Sequence, residues 1–169
     1  MRKIVLGLAV TLDGFIEGPN GEYDWCFTDQ DYGLSDFFRQ IDAILMGRKS
    51  YDVSNKYEGQ KPWEGVKTYV ISNTLKSSDK IEVINGDVVS KIKEIKNQQG
   101  KDIWLFGGAE LITSLINENL VDELWLSVHP ILLGSGKPLF QNIKERKNLI
   151  LKEHKVYSTG LVSLIYQQA

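Results

Sequence analysis

Hydrophobic residues along this chain fall into two alternating rhythms. Short, nearly unbroken apolar runs recur at residues 4–10, 42–46, 67–71, 81–84, 103–106 and 124–128, as strands covered on both faces require. Between them the spacing becomes helical. Leu34, Phe37, Phe38 and Ile41 stand at i, i+3, i+4 and i+7. Val88, Val89, Ile92 and Ile95 form one face of a helix beginning near Asp87, with lysines opposite and Gly100 as its stop. Leu111, Ile112, Leu115 and Ile116 make a third stripe. A further helical turn is expected within 51–57, a loop over 59–65, and another loop over 134–138. His129-Pro130 ends one strand, and the last two strand-like runs, 149–157 and 161–167, flank Ser158-Thr159-Gly160 as a hairpin. Strands alternating with helices, closed by a hairpin, predict an α/β domain: a mostly parallel central sheet, flanking helices and an antiparallel edge.

Bulk properties narrow the picture. With 169 residues, 42% hydrophobic and 25% charged, the chain suits one domain, 1–169, with its own core. A net charge of -2, from 20 basic and 22 acidic residues, gives no reason to expect nucleic acid or an acidic membrane as partner. Anion binding must therefore come from a few placed groups. The single cysteine, Cys26, cannot form an internal disulfide, which fits a reducing compartment. The apolar start ends at Asp13 without a small-residue cleavage site and reads as a first strand, so a cytoplasmic location is expected.

The candidate chemistry sits at strand ends. The run 103–106 stops at Gly107-Gly108 and passes into a helix. The amides of a helix start carry partial positive charge, and glycine lets an anion approach them. Met46 is followed by Gly47-Arg48-Lys49-Ser50, and Ile71 by Ser72-Asn73. If these strands are parallel neighbours, the three ends align along the carboxyl edge of the sheet, where open α/β sheets bind ligands. Amides, hydroxyls and two cations together match a pyrophosphate with a further phosphate. Any one of these ends could be a tight turn and nothing more; their coincidence favours phosphate binding.

After the first strand comes a long segment, Thr11 to about Gly33, rich in aromatic and acidic residues. It is expected to be a flap over a pocket. Other signatures are missing. No Gly-x-Gly-x-x-Gly follows a strand, Pro138 stands where a P-loop needs Ser or Thr, and no clustered His or Cys points to a metal. Cys26 is expected to pack within the flap, and His129 and His154 to be sheet-face or surface residues.

In order along nearly the whole chain stand Val10-Thr-Leu-Asp-Gly-Phe-Ile16, Asp24-Trp25, Ile44-Leu-Met-Gly-Arg-Lys-Ser-Tyr51, Val70-Ile-Ser-Asn73, Leu105-Phe-Gly-Gly-Ala-Glu-Leu111, Val121-Asp-Glu-Leu124 and Pro130-Ile-Leu-Leu-Gly-Ser-Gly-Lys-Pro-Leu-Phe140. This pattern resembles the dihydrofolate reductase-like superfamily. The resemblance is nearest to its small bacterial branch, related to the reductase domain of the bifunctional riboflavin-biosynthesis deaminase-reductase. It implies that fold and an NADPH-dependent reductase. The pyrophosphate would lie on Gly107, Gly108, Ala109 and Glu110. Gly47, Arg48, Lys49 and Ser50 would hold phosphates from the other side, and Ser72 and Asn73 would sit by the adenosine ribose. Ala9 and Val10 would offer backbone groups to the nicotinamide amide. A flat substrate would lie between Thr11, Phe15 and Trp25 of the flap and the helix face at Phe37 and Phe38. Gly33 stands at or near the place where dihydrofolate reductases carry an acidic residue, with Asp31 and Asp36 close by. A different heterocycle or a carbonyl compound is therefore as open as folate. Asp13, Asp24 and Asp31 are the acid candidates for catalysis, and no metal is implied. A nucleotide-binding or ligand-sensing protein without turnover is the alternative. The resemblance also implies a homodimer, for which Ile131, Leu132, Leu133 and Phe140 offer apolar surface.

Overall fold

The computed structural model describes residues 1–56 and 61–169. Its first part runs β1 (Ile4–Thr11), β2 (Phe15–Glu17), α1 (Leu34–Gln40), β3 (Ile41–Gly47), α2 (Arg48–Asn55), β4 (Lys67–Ile71) and β5 (Ile81–Ile84). There follow α3 (Val88–Asn97), β6 (Asp102–Gly107), α4 (Ala109–Asn117), β7 (Glu123–His129), β8 (Lys137–Pro138), β9 (Leu149–Val156) and β10 (Val162–Gln168). Eight strands form one sheet in the order β5-β4-β3-β6-β1-β7-β10-β9. The first six are mutually parallel and β10 runs antiparallel to both neighbours, so the expected sheet and terminal hairpin are both present.

The central strands are apolar throughout because both faces are covered. On one face Ile4, Leu6, Leu45, Ile103 and Leu105 meet Ile92 and Ile95 of α3 and Ile112, Leu115 and Ile116 of α4. On the other, Val5, Ile44, Met46, Trp104 and Trp125 meet Phe37 of α1. Fully burying each such side chain contributes about 1.5–3 kcal/mol. β6 divides its residues by the two-residue period of a strand: Ile103 and Leu105 to the aliphatic face, Trp104 and Phe106 to the aromatic one.

The amino-terminal edge of the sheet is tied by ions. Lys96 Nζ donates to Asp122 Oδ2 at 2.6 Å and to the Leu120 carbonyl at 3.2 Å, and Asp122 also accepts from the Ile4 amide at 2.7 Å. Arg2 pairs with Asp42 and donates to the Lys101 carbonyl at 2.6 Å. Lys96 is therefore buried rather than on the solvent face of α3, because a carboxylate waits for it beneath the helix.

Other expectations change. Leu34 lies exposed at the first turn of α1, and Ile41 opens β3 instead of closing the helix. Arg48, Lys49 and Ser50 form the first turn of α2, whose helix begins directly after β3. Tyr57 and the first residues of the expected 59–65 loop lie outside the described residues. The 134–138 loop contains β8, which pairs with β2. Residues 11–18 are consequently no free flap. Leu12 donates to the Ile131 carbonyl, Leu139 to the Gly14 carbonyl, and Gly136 packs against Glu17 and Gly18 so tightly that a Cβ there would lie 2.2 Å from the Glu17 oxygen. Among the described residues no helix is long and apolar enough to cross a membrane, and no cluster of His, Cys, Asp or Glu is placed to hold a metal.

Candidate active site

The three strand ends singled out in the sequence are neighbours. β3 lies between β4 and β6 with Gly47 opposite Ile71 and Met46 opposite Gly107, so Ser72, Gly47 and Gly107-Gly108 share the carboxyl edge. The glycines allow a close approach. A Cβ on Gly47 would lie 3.6 Å from the Gly108 nitrogen, and one on Gly108 would lie 3.3 Å from Ser50 Oγ. Gly107 has φ +135°, a backbone that L side chains rarely adopt, and its peptide to Gly108 is cis.

α2 and α4 both start here, with Gly47 and Gly108 as N-caps and, among the described residues, no side chain bonded to either helix start. α3, in contrast, is capped by Asp87, which accepts from the Ser90 amide at 3.1 Å. Two uncapped helix starts on adjacent strands direct their free amides and the positive ends of their dipoles at one place. Backbone amides gathered in this way can receive an anion. Ala109 is buried at this edge, whereas Glu110 is exposed.

Cationic groups stand at its rim. Arg48 Nε donates to both Asp52 oxygens, at 3.0 and 2.8 Å, and Nη1 donates to Thr74 Oγ1 at 3.2 Å. Lys49 and Asn73 are exposed. Ser72 is buried, and its Oγ accepts from the amides of Thr74 at 3.2 Å and Leu75 at 3.1 Å, so it shapes the turn after β4. Thr74 and Asp52 escaped the sequence reading. The signal for Asp52 was its spacing, one helical turn beyond Arg48.

Beside this rim the sheet forks. β1 pairs with β6 only through Leu6 and Leu105, then continues with β7 to Thr11, while β6 stays with β3 to Gly107. Past the fork, backbone groups of β1 face a gap. The Gly7 carbonyl, on the β6 side, accepts from Trp104 Nε1 at 2.8 Å. Strand alternation turns the amide and carbonyl of Ala9 to that same side, and those of Val10 toward β7. Ala9 thus presents one donor and one acceptor at the fork, the pattern that a carboxamide matches.

An aromatic wall stands on that face of the sheet. Trp104 meets Phe38, Trp63 and Phe106 at centroid distances of 5.4, 5.4 and 5.0 Å. Phe38, Trp63 and Phe106 are half-buried and accessible to a flat molecule, whereas Phe37 is core, wedged over Gly7 against Trp104 and Trp125. The aromatic spacing of Trp104 and Phe106 along β6 could have revealed this wall.

Part of the expected flap also packs inward. Trp25 is 9% exposed and lies edge-on to His129 at 5.2 Å. His129, 3% exposed, accepts from the Phe27 amide through Nε2 at 3.1 Å, with Nδ1 2.9 Å from the Ser127 carbonyl. That geometry requires a neutral ring with its proton on Nδ1, and burial accordingly holds its pKa below the ordinary 6.5. Tyr32 hydrogen-bonds to Asp29 and Thr159 and meets Tyr157 edge-on, fastening the far end of this segment to the β9–β10 turn. Cys26 is half-buried, with its thiol raised to about 11 by burial and the nearby Asp24 charge.

The acid candidates occupy different surroundings. Asp13 accepts from Thr11 Oγ1 at 2.6 Å and from the amides of Gly134 at 2.8 Å and Leu133 at 3.3 Å, and these bonds lower its pKa. Thr11 Oγ1 in turn accepts from the Phe15 amide at 2.9 Å, so Thr11, Asp13 and Phe15 form one clamp between β1, β2 and the 131–139 segment. Asp31 accepts from Ser35 Oγ at 2.6 Å and from the amides of Ser35 and Gly33, which also lowers its pKa and makes it a cap for α1. A carboxyl held as its anion is a poor proton donor. Asp24 is exposed.

A forked, mostly parallel sheet with two uncapped helix starts and an aromatic wall defines an α/β domain of the reductase-like type. The chain belongs to the RibD C-terminal domain family, whose sequence model matches residues 2–163. It is 48% identical over 177 residues to the YyaP protein of Bacillus subtilis (strain 168), covering 98% of this chain and 94% of that one. A solved structure from Shewanella sp. PV-4, assigned to riboflavin biosynthesis, superposes with a TM-score of 0.87 at 27% identity, covering 100% of this chain and 99% of that one. A diaminohydroxyphosphoribosylaminopyrimidine deaminase/5-amino-6-(5-phosphoribosylamino)uracil reductase from Thermotoga maritima shares the fold, with a TM-score of 0.76 at 14% identity, covering 99% of this chain and 57% of that longer one.

Proposed function

We propose that this protein is an NADPH-dependent reductase acting on a small, flat heterocyclic or carbonyl substrate. The observation that carries the proposal is the convergence of two uncapped helix starts, glycine-lined and rimmed by Arg48 and Lys49, beside the free backbone of Ala9. The first of these features suits a pyrophosphate and the second a nicotinamide carboxamide. An arginine with neighbouring hydroxyls, rather than a carboxylate alone, at the ribose favours a 2′-phosphate. NADPH bound there would supply the hydride. The protein's contribution is to fix the ring against Ala9, present the aromatic wall for stacking, and exclude water with the segment closed on His129. Neither Asp13 nor Asp31 is suited to donate a proton, which leaves protonation to the exposed Asp24, to solvent or to the substrate's own groups. Pairing of two copies would cover the apolar residues of β9, with Leu132 and Phe140, that this chain leaves exposed.

The test follows nicotinamide absorbance with the pure protein, NADPH and a panel of pterins, flavin precursors and quinones. Oxidation of NADPH above the blank with at least one acceptor is expected. Tight NADPH binding with no oxidation across the panel would transfer the assignment to a ligand-sensing protein that retains the fold, a reading favoured by the structural use of both carboxylates.

A further inference from the structure

We propose that Asp52 is a positioning residue that sets the pose in which Arg48 meets the cofactor's ribose phosphate. This rests on the NADPH reading of the site. A free arginine side chain is long and samples many rotamers, and ordering it on binding weakens affinity. Here the ordering is already done. Asp52 follows Arg48 by one helical turn on α2, and both its oxygens lie around Nε–H, at 2.8 and 3.0 Å. With Nε fixed, the guanidinium reaches from α2 to the exit of β4, where Nη1 meets Thr74 Oγ1 at 3.2 Å. Thr74 Oγ1 is 3.4 Å from Ser72 Oγ, itself held by two backbone amides. A continuous chain of side chains therefore joins the ends of β3 and β4.

Among the described residues, Arg48 Nη2 donates no hydrogen bond, so part of the Nη1–Nη2 fork remains for a ligand. That fork is the edge that grips a phosphate through two parallel bonds. The opposing effect is repulsion between the Asp52 carboxylate and the incoming phosphate. The two side chains are 42% and 47% exposed, so solvent screens that repulsion, while the orientation survives in water. Pre-organisation therefore prevails. Thr74 supplies the second wall that keeps the guanidinium in line.

The experiment measures Kd for NADPH and NADH by quenching of tryptophan fluorescence in the wild type, Asp52→Ala and Asp52→Asn, with the thermal midpoint of each. Asp52→Ala should weaken NADPH by about three- to tenfold, as expected for one side chain that must be ordered on binding. NADH affinity and the midpoint should not move. Asp52→Asn, which keeps an oxygen for Nε–H, should recover most of the loss. Unchanged or tighter NADPH binding in Asp52→Ala overturns the proposal, as does an equal loss for both cofactors. If the wild type itself fails to prefer NADPH, the cofactor assignment falls and the role of Asp52 falls with it. If the wild type prefers NADPH and Asp52→Ala does so equally, only the role of Asp52 is refuted.

Discussion

Two glycines stand side by side at the end of β6, and the structure gives them different reasons to be glycine. Gly107 has φ +135°, so any L side chain is strained there whatever the space, and its Cβ would meet Ile112 and Ser50 only at 3.8 Å. Gly108 has φ −85° and ψ −173°, an ordinary extended backbone, and its Cβ would lie 3.3 Å from Ser50 Oγ, a small side chain able to yield a few tenths of an ångström. Gly107→Ala should therefore cost about 1–3 kcal/mol of stability. For a chain of this size that is a fall of about 2–4 °C in midpoint per kcal/mol. Gly108→Ala should change stability by less than about 1 kcal/mol, since reduced freedom of the unfolded chain offsets the contact with Ser50. Its added methyl would nonetheless stand at the start of α4, where the pyrophosphate is assigned. Loss of one charge-assisted hydrogen bond there is worth about 1.5–3 kcal/mol, a ten- to hundredfold weakening of NADPH. Differential scanning fluorimetry gives the midpoints and fluorescence titration the affinities. A stable Gly108→Ala protein that binds NADPH as the wild type does would refute the cradle. A Gly107→Ala protein of unchanged midpoint would refute the conformational argument.

Further outcomes follow from the ionisable groups. Because the folded chain keeps His129 neutral, its stabilising contribution is complete above pH 6.5. It declines as pH falls below that value, where the unfolded chain takes up a proton that the folded chain does not. His129→Gln should flatten the fall of the thermal midpoint on mild acidification, and a slope equal to the wild type's would contradict the neutral assignment. Asp13 has a lowered pKa, so its contribution is present above the ordinary value of 3.8 and lost as pH falls through the lower folded value. Asp13→Asn should lower the midpoint at neutral pH, with the gap to the wild type closing in strong acid; a gap that persists there would exclude a charge-based clamp. Lys96→Ala leaves Asp122 without its buried partner and should cost near the lower end of about 3–5 kcal/mol, while NADPH affinity at the opposite edge stays unchanged. A coupled loss of affinity would show that the two edges are not independent.

Periodicity was enough for the sheet because each central strand is buried on two faces, which leaves continuous apolar runs such as Ile4–Leu6 and Ile103–Phe106. Local signals also placed the strand ends, since Gly47, Ser72 and Gly107 stand where apolar runs stop. What the sequence hid is long-range. Nothing local says that the Asp13 carboxylate will be claimed by Leu133 and Gly134, some 120 residues away, which turns an acid candidate into a clamp. The spacing of α3 puts Lys96 on a polar face, and only the fold brings Asp122 beneath it. Trp25 reads as a flap residue until β7 delivers His129 to its edge. The proposed cofactor half, made of backbone and glycine at strand ends, is legible along the chain. The proposed substrate half is assembled from Phe38, Trp63 and Phe106, residues of three separate segments, and becomes visible only when the sheet brings them together.

Calorimetric titration of the wild-type protein with NADPH, and separately with NADH, tests the assignment of the sheet edge most directly. One site per chain is expected, with a Kd for NADPH within about the micromolar to sub-millimolar range and NADH weaker by about tenfold or more. No heat of binding up to millimolar NADPH, or equal affinity for the two cofactors, would contradict it.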